Sequence, residues 1–220
     1  MRTVVFDLDG TLADTSGDLL AAANACFDRL GHGAVLTRAD TLVAFQGGRA
    51  MLRAGFDRLG LPWTEASIDA QYPVLLSHYA DAIDLHTKLY PGAVAAVQRL
   101  RGAGYATAIC TNKPESLAET LLVRLGIRGL FGAMIGADTL ATRKPDAAPY
   151  QAAVERAGGI LARSMLIGDT ETDRLTGRAA GVPVALVTFG PEGAGVARWA
   201  PEALLHHFDD LDGVVNRLIG

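Results

Sequence analysis

The sequence predicts an α/β protein in which a doubly wound parallel sheet is interrupted, just after its first strand, by an all-α insertion. Three observations predict it. Thr3 to Leu8 is a short apolar run without helical period, bounded by Asp9-Gly10, and reads as a buried strand. From Ser16 to about Leu85 only helical patterns follow. Beyond that point strands and helices alternate, which implies βαβ units and a parallel sheet with helices on both faces. The core is therefore expected over 1–15 and 86–220, and the helical insertion, a candidate cap, over 16–85.

The elements follow from local signals. In the insertion, Asp18 to Leu30 ends at Gly31, Arg38 to Phe45 and Arg49 to Leu59 follow, and Thr64 to Ile83 carries Pro73 as a point of bending. Tyr90-Pro91-Gly92 opens a helix to Arg101, and Tyr105 to Cys110 is the next strand. A helix after Pro114 reaches Leu125, and Met134-Ile135 marks a strand. The series continues with a helix after Pro145, a strand at Met165 to Ile167, a helix from Asp173 to Ala180 and a strand at Val184 to Val187. The Gly-rich stretch Phe189 to Gly195 reads as a surface loop.

Bulk properties narrow the function. At 220 residues, with half of them hydrophobic and a fifth charged, the chain has ordinary globular composition. The formal net charge of −4 argues against nucleic acid or an anionic membrane surface as partner, leaving a small diffusible molecule. Charges or glycines interrupt every apolar stretch before the roughly 20 residues a bilayer span needs. Met1-Arg2-Thr3 leads into a short strand and not into a signal or transit peptide, so a cytoplasmic location is expected. Cys26 and Cys110 lack metal-ligand spacing and read as structural thiols.

In an open parallel sheet, ligands bind beyond the carboxyl ends of the strands. The segments that follow the predicted strands are Asp7-Leu8-Asp9-Gly10-Thr11, Thr111-Asn112-Lys113, Arg143-Lys144-Pro145, and Gly168-Asp169 with Asp173. Taken singly, each has a plain structural reading: Asp-Gly as a turn pair, Thr111-Asn112 as a helix cap before Pro114, Lys144-Pro145 as an exposed lysine before a helix, and Gly-Asp-x-x-x-Asp as a capping turn. Together, in this order and each at a strand's end, they gather carboxylates, a hydroxyl and a lysine at one edge. Asp7 lies in an apolar strand, where an ionised carboxylate needs compensation. Asp7, Asp9, Asp169 and Asp173 offer the oxygen ligands that Mg2+ prefers. With Lys144 the site carries about −3, so a phosphate dianion requires the cation and a proton on one aspartate, Asp9, before it can approach.

These segments resemble the four ordered signatures of haloacid dehalogenase superfamily hydrolases: Phe6-Asp7-Leu8-Asp9-Gly10-Thr11-Leu12, Thr111-Asn112-Lys113, Lys144-Pro145, and Gly168-Asp169 with Asp173. The helical insertion resembles the cap of the subfamily that includes phosphoglycolate phosphatases, as do Asp14 to Leu20, Val187 to Gly190 and Pro201 to Phe208. The resemblance implies a Rossmann-like core and a magnesium-dependent phosphatase. In it Asp7 is the nucleophile that forms an aspartyl phosphate, and Asp9 is the general acid and then base. It implies metal ligation by the Asp7 carboxylate, the Asp9 carbonyl and Asp169, with Asp173 in reach directly or through water. Thr111 and the Asn112 amide would bind the phosphoryl oxygens, and Lys144 would offset charge.

Substrate choice is expected to lie in the insertion. Gly47 and Gly48 precede a helix whose free NH groups can hold an anion, and Arg49 and Arg53 share one face of it, which suits a small phosphorylated carboxylate; the resemblance to phosphoglycolate phosphatases implies phosphoglycolate. A β-phosphoglucomutase-like enzyme would share every core residue, but those mutases carry a histidine where this chain has Asp18-Leu19-Leu20. Dehalogenases lack the second aspartate, and phosphonatases need a cap lysine, whereas the only lysines here are Lys88, Lys113 and Lys144. A catalytically silent binding protein on the same fold is the alternative from another class.

Overall fold

The computed structural model describes residues Met1–Gly220. The chain runs through β1 (Thr3–Phe6), β2 (Ala13–Asp14), α1 (Ser16–Arg29), α2 (Thr41–Phe45), α3 (Gly48–Arg58), α4 (Glu65–Asp81) and β3 (Lys88–Leu89). It continues through α5 (Ala93–Gly102), β4 (Ala106–Cys110), α6 (Glu115–Arg124), β5 (Ala133–Ile135), α7 (Ala147–Arg156) and β6 (Ser164–Gly168). The last elements are α8 (Glu171–Ala180), β7 (Val184–Val187), β8 (Ala203–Leu205) and α9 (Leu211–Ile219). Two units result: Met1–Ala13 with Leu89–Gly220, and Asp14–Lys88.

The first unit is a parallel sheet in the order β5-β4-β1-β6-β7-β8. In sequence order of these strands the sheet reads 3-2-1-4-5-6, the dinucleotide-fold arrangement, whose direction of winding reverses between β1 and β6. Residues alternate between two buried faces. Val5, Ala108, Cys110, Ile135, Leu166 and Leu186 point to one of them, where α7 covers them with Tyr150, Ala153 and Val154. Helices α5 and α9 pack on β4 and β6 respectively and on each other, while α7 and α8 pack together on the sheet, so helices flank both sides.

Several expected boundaries shift. β1 stops at Phe6 rather than Leu8, because after Asp7 the chain turns through Gly10 at φ 80°. The helix after Tyr90-Pro91 starts only at Ala93, since Gly92 sits at φ 80°. Helix α8 begins at Glu171, ahead of Asp173, with Thr170 as its cap. Helix α4 passes Pro73 as one element. Four elements went unrecognised in the sequence: the two-residue strands β2 and β3, β8, only three residues long, and α9. The Gly-rich stretch is more than a surface loop. A Cβ on Gly190 would lie 2.7 Å from the Gly10 carbonyl oxygen, the Phe189 ring packs at a tilt between those of Tyr90 and Phe208, and a 3-10 helix occupies Gly193–Trp199.

The second unit is helical. Helix α1 buries Leu20, Ala23 and Phe27 at helical spacing and packs on α2, α3 and α4. Gly55 of α3 permits the approach, since a Cβ there would come within 2.1 Å of the Phe27 ring. Asp18, buried in the first turn of α1, fixes the returning chain. Its carboxylate accepts hydrogen bonds from the amides of His86 (2.9 Å) and Thr87 (2.9 Å) and from the Thr87 hydroxyl (2.7 Å). Substituting Asp18→Ala would strand these donors. The expected loss is about 3 kcal/mol, measured as a lower urea midpoint, because an unsatisfied buried donor costs about 1–3 kcal/mol.

Candidate active site

The four acidic and basic segments meet at the carboxyl edge of the sheet, around the point between β1 and β6 where the winding reverses. The Asp7 amide extends the ladder one residue past β1 by donating to the Ile167 carbonyl at 2.9 Å. The Asp7 side chain, 12% exposed, accepts from the Leu8 amide at 2.7 Å and from the Lys144 ammonium at 3.0 Å. Lys144 is buried, contrary to the ordinary expectation for a lysine before a proline. Its Nζ bridges Asp7 Oδ2 and Asp173 Oδ1, the latter at 2.7 Å. The Asn112 side-chain amide donates to the Lys144 carbonyl at 3.0 Å and thereby fixes the backbone that carries the ammonium.

Asp173 is fully engaged. Oδ1 takes Lys144, while Oδ2 accepts from the amides of Asp169 (3.2 Å) and Thr170 (3.1 Å) and from the Thr170 hydroxyl (2.8 Å). This fold-back explains Gly168, where a Cβ would meet Asp173 at 2.3 Å. Asp169 lies beside it, with no exposed surface. Thr11 donates to Asp169 Oδ1 at 2.9 Å, but Oδ2 has no hydrogen-bond partner. Gly10 leaves room for that oxygen, because a Cβ there would sit 2.2 Å from it. One oxygen from each of Asp7, Asp169 and Asp173 falls within 4.8 Å of the others. An orphaned buried carboxylate oxygen amid such a set of hard donors fits a divalent cation.

The electrostatics agree. Burial, reinforced by the charges of Asp173 and Asp9 and opposed by Lys144, raises the Asp7 carboxyl to about 6. Burial, with the Asp173 and Asp7 charges, also pushes Asp169 well above its ordinary range. For Lys144, burial opposes the charged form, but Asp173 and Asp7 outweigh it and hold the ammonium charged. Burial lifts the Cys110 thiol to about 12, which leaves it without a thiolate role.

Sequence reasoning left Lys113 without a role. Its buried Nζ contacts both Asp9 oxygens at 2.9 Å, so the cluster carries about −2 rather than −3, and Asp9 is held as an ion pair. Thr111, 3% exposed, accepts from the Lys113 amide at 3.2 Å, which leaves its hydroxyl proton available. Gly47 and Gly48 do open helix α3, with Gly47 at φ 100°. A Cβ on Gly48 would crowd Tyr72 and Leu75, so close helix packing accounts for that glycine. Arg49 pairs with Asp69 over the Tyr72 ring, and Arg53 pairs with Glu65. Both cations of the expected anion site are thus already neutralised by α4 carboxylates.

A doubly wound sheet that gathers carboxylates, a buried lysine and an orphaned oxygen at its switch point is a site for chemistry on an oxyanion beside a hard cation. Comparison with known proteins makes the class definite. Residues 4–187 match the model of the haloacid dehalogenase-like hydrolase family. A phosphoglycolate phosphatase of Mesorhizobium japonicum is 38% identical over 208 residues, covering 94% of this chain and 92% of that protein. One of Cereibacter sphaeroides is 36% identical over the full length of both. A crystal structure of a predicted phosphoglycolate phosphatase from Haemophilus somnus superposes with a TM-score of 0.83 at 23% identity, covering 97% of each chain, which shows the shared fold. The chain belongs to the haloacid dehalogenase-like hydrolase family.

The raised carboxyls give the metal-free protein a defined pH response. A buried acid whose folded pKa exceeds its unfolded value stabilises the fold below the unfolded value and loses that contribution as pH rises through the folded one. For Asp7 the window runs from 3.8 to about 6, and Asp169 acts in the same direction. Asp40, lowered to about 2 by hydrogen bonding to Arg58, changes only below pH 4. In metal-free buffer, the melting temperature of Asp7→Asn relative to the parent should therefore rise between pH 4 and 7. The expected change is ~3 kcal/mol, or roughly 5–10 °C, as read by calorimetry.

Proposed function

We propose that this protein is a magnesium-dependent phosphatase that hydrolyses a small phosphate monoester, with phosphoglycolate the first substrate to test. The observation that carries the reading is the buried Asp7–Lys144–Asp173 chain beside the orphaned Asp169 oxygen. The phosphoglycolate phosphatases that match it along nearly the whole chain support the choice of substrate.

Asp7 is the nucleophile. Its Oδ2 contacts Lys144, which holds the carboxylate in one orientation, and its backbone is pinned by the β6 ladder. Asp9 takes up a proton as the dianion binds; attack on phosphorus forms an aspartyl phosphate and breaks the ester P–O bond, Asp9 gives its proton to the departing oxygen, and it then takes a proton from the water that cleaves the acyl phosphate. Thr111 donates its hydroxyl proton to a phosphoryl oxygen, with the Asn112 amide beside it. Lys144 balances the charge carried on Asp7 and the phosphoryl group. Asp7, the Asp9 carbonyl and Asp169 would hold Mg2+, with Asp173 next to them and committed to Lys144. The cation would offset the negative charge of phosphate and carboxylates together. The helical unit Asp14–Lys88 serves as the cap that selects the leaving group, and the ester is a soluble cytoplasmic metabolite. Arg49 contributes to selection only by exchanging Asp69 for the substrate.

Phosphate release is measured on phosphoglycolate, β-glucose 1-phosphate and an aryl phosphate, with and without Mg2+. Selective, Mg2+-dependent release from phosphoglycolate is expected. Asp7→Asn should reduce turnover at least about 10⁴-fold, in line with loss of a covalent nucleophile. Turnover of that variant near the parental rate would remove Asp7 from the role. Mg2+ should also raise the melting temperature at pH 7, and Asp169→Asn should abolish the rise.

A further inference from the structure

We propose that Lys113 is the positioning residue for the Asp9 carboxyl group, holding it where Asp9 exchanges protons with the ester and with water. The inference rests on the phosphatase reading above. It starts from a division of labour between two buried lysines. Lys144 serves Asp7 and Asp173, whereas Lys113 reaches both oxygens of Asp9 at equal distances of 2.9 Å.

The two partners differ in accessibility. The Lys113 side chain is 3% exposed and that of Asp9 20%, so the ammonium approaches from the interior while the carboxyl keeps an open side for a reactant. Lys113 also stands on a fixed backbone. Its amide donates to the Thr111 hydroxyl at 3.2 Å, and its carbonyl accepts from the Ala137 amide at 2.9 Å. Asp9 sits in a tight turn, where Gly10 at φ 80° donates its amide to the Ala13 carbonyl at 2.8 Å. That turn fixes the Asp9 backbone but not its side-chain torsions. A two-oxygen ion pair to an anchored ammonium fixes them. An acid–base group needs this, since a displacement of about 1 Å can lower a rate by about 100-fold.

The experiment compares Asp9→Asn, Lys113→Met and the double variant with the parent. Mg2+-dependent turnover of an alkyl and an aryl phosphate is measured alongside melting of the substrate-free proteins. Lys113→Met is expected to lower kcat about 10- to 100-fold with little change in KM. Its loss should rank the two leaving groups as Asp9→Asn does, and it should add less than about 2-fold in the Asp9→Asn background. Losses that multiply, or an effect confined to KM, would make Lys113 a phosphate-binding cation and overturn the proposal. Without substrate, Lys113→Met should lower the melting temperature more in the parent than in Asp9→Asn, and equal losses would refute the pair itself. A parent inactive on every ester would defeat the phosphatase reading and the catalytic half of this proposal, while the melting cycle would still decide whether the pair exists.

Discussion

The site depends on one buried ammonium. Lys144 sits between Asp7 and Asp173 with almost no exposed surface, a placement that would be unfavourable without close partners. Its neighbours are arranged to keep it there. Asp173 folds back over Gly168 and caps α8, so its second oxygen is held by backbone amides and the Thr170 hydroxyl. Asn112 secures the lysine's own carbonyl. The residues of three separate loops are therefore fixed relative to one another by a single charge.

Two lysines sort the four carboxylates. Asp7 and Asp173 share Lys144, Asp9 is matched to Lys113, and Asp169 is left with one oxygen that nothing in the protein satisfies. That oxygen is where the proposed cation would gain most, because the protein itself leaves it unsatisfied. The glycine at position 10 keeps that oxygen unobstructed, and a side chain at Gly190 would collide with the Gly10 carbonyl oxygen.

Much of this was legible in the sequence. The order of strand-ending segments placed Asp7, Asp9, Thr111, Lys144 and Asp169 at one sheet edge, because a parallel sheet exposes its carboxyl ends together. What escaped did so for physical reasons. Lys113 pairs with a residue 104 positions away through a long side chain, and no local spacing encodes that reach. β8 has three residues, too few to show a period, and Leu204 is only partly buried. The Gly190 contact with Gly10 depends on the approach of two loops. Arg49 and Arg53 read as part of an anion site because Asp69 and Glu65, their partners, come from the next helix.

The topology also bears on how the chain is made. β1 occupies the middle of the sheet, yet its neighbours β4 and β6 begin only at Ala106 and Ser164. During synthesis from the N-terminus, an apolar strand must wait unpaired while more than a hundred residues emerge. The contacts within Asp14–Lys88 all close over shorter separations, so that segment can order first. A folded helical body just behind the waiting strand would limit its access to other chains. The insertion proposed as the cap would then also act, on the ribosome, as a guard for the strand that precedes it.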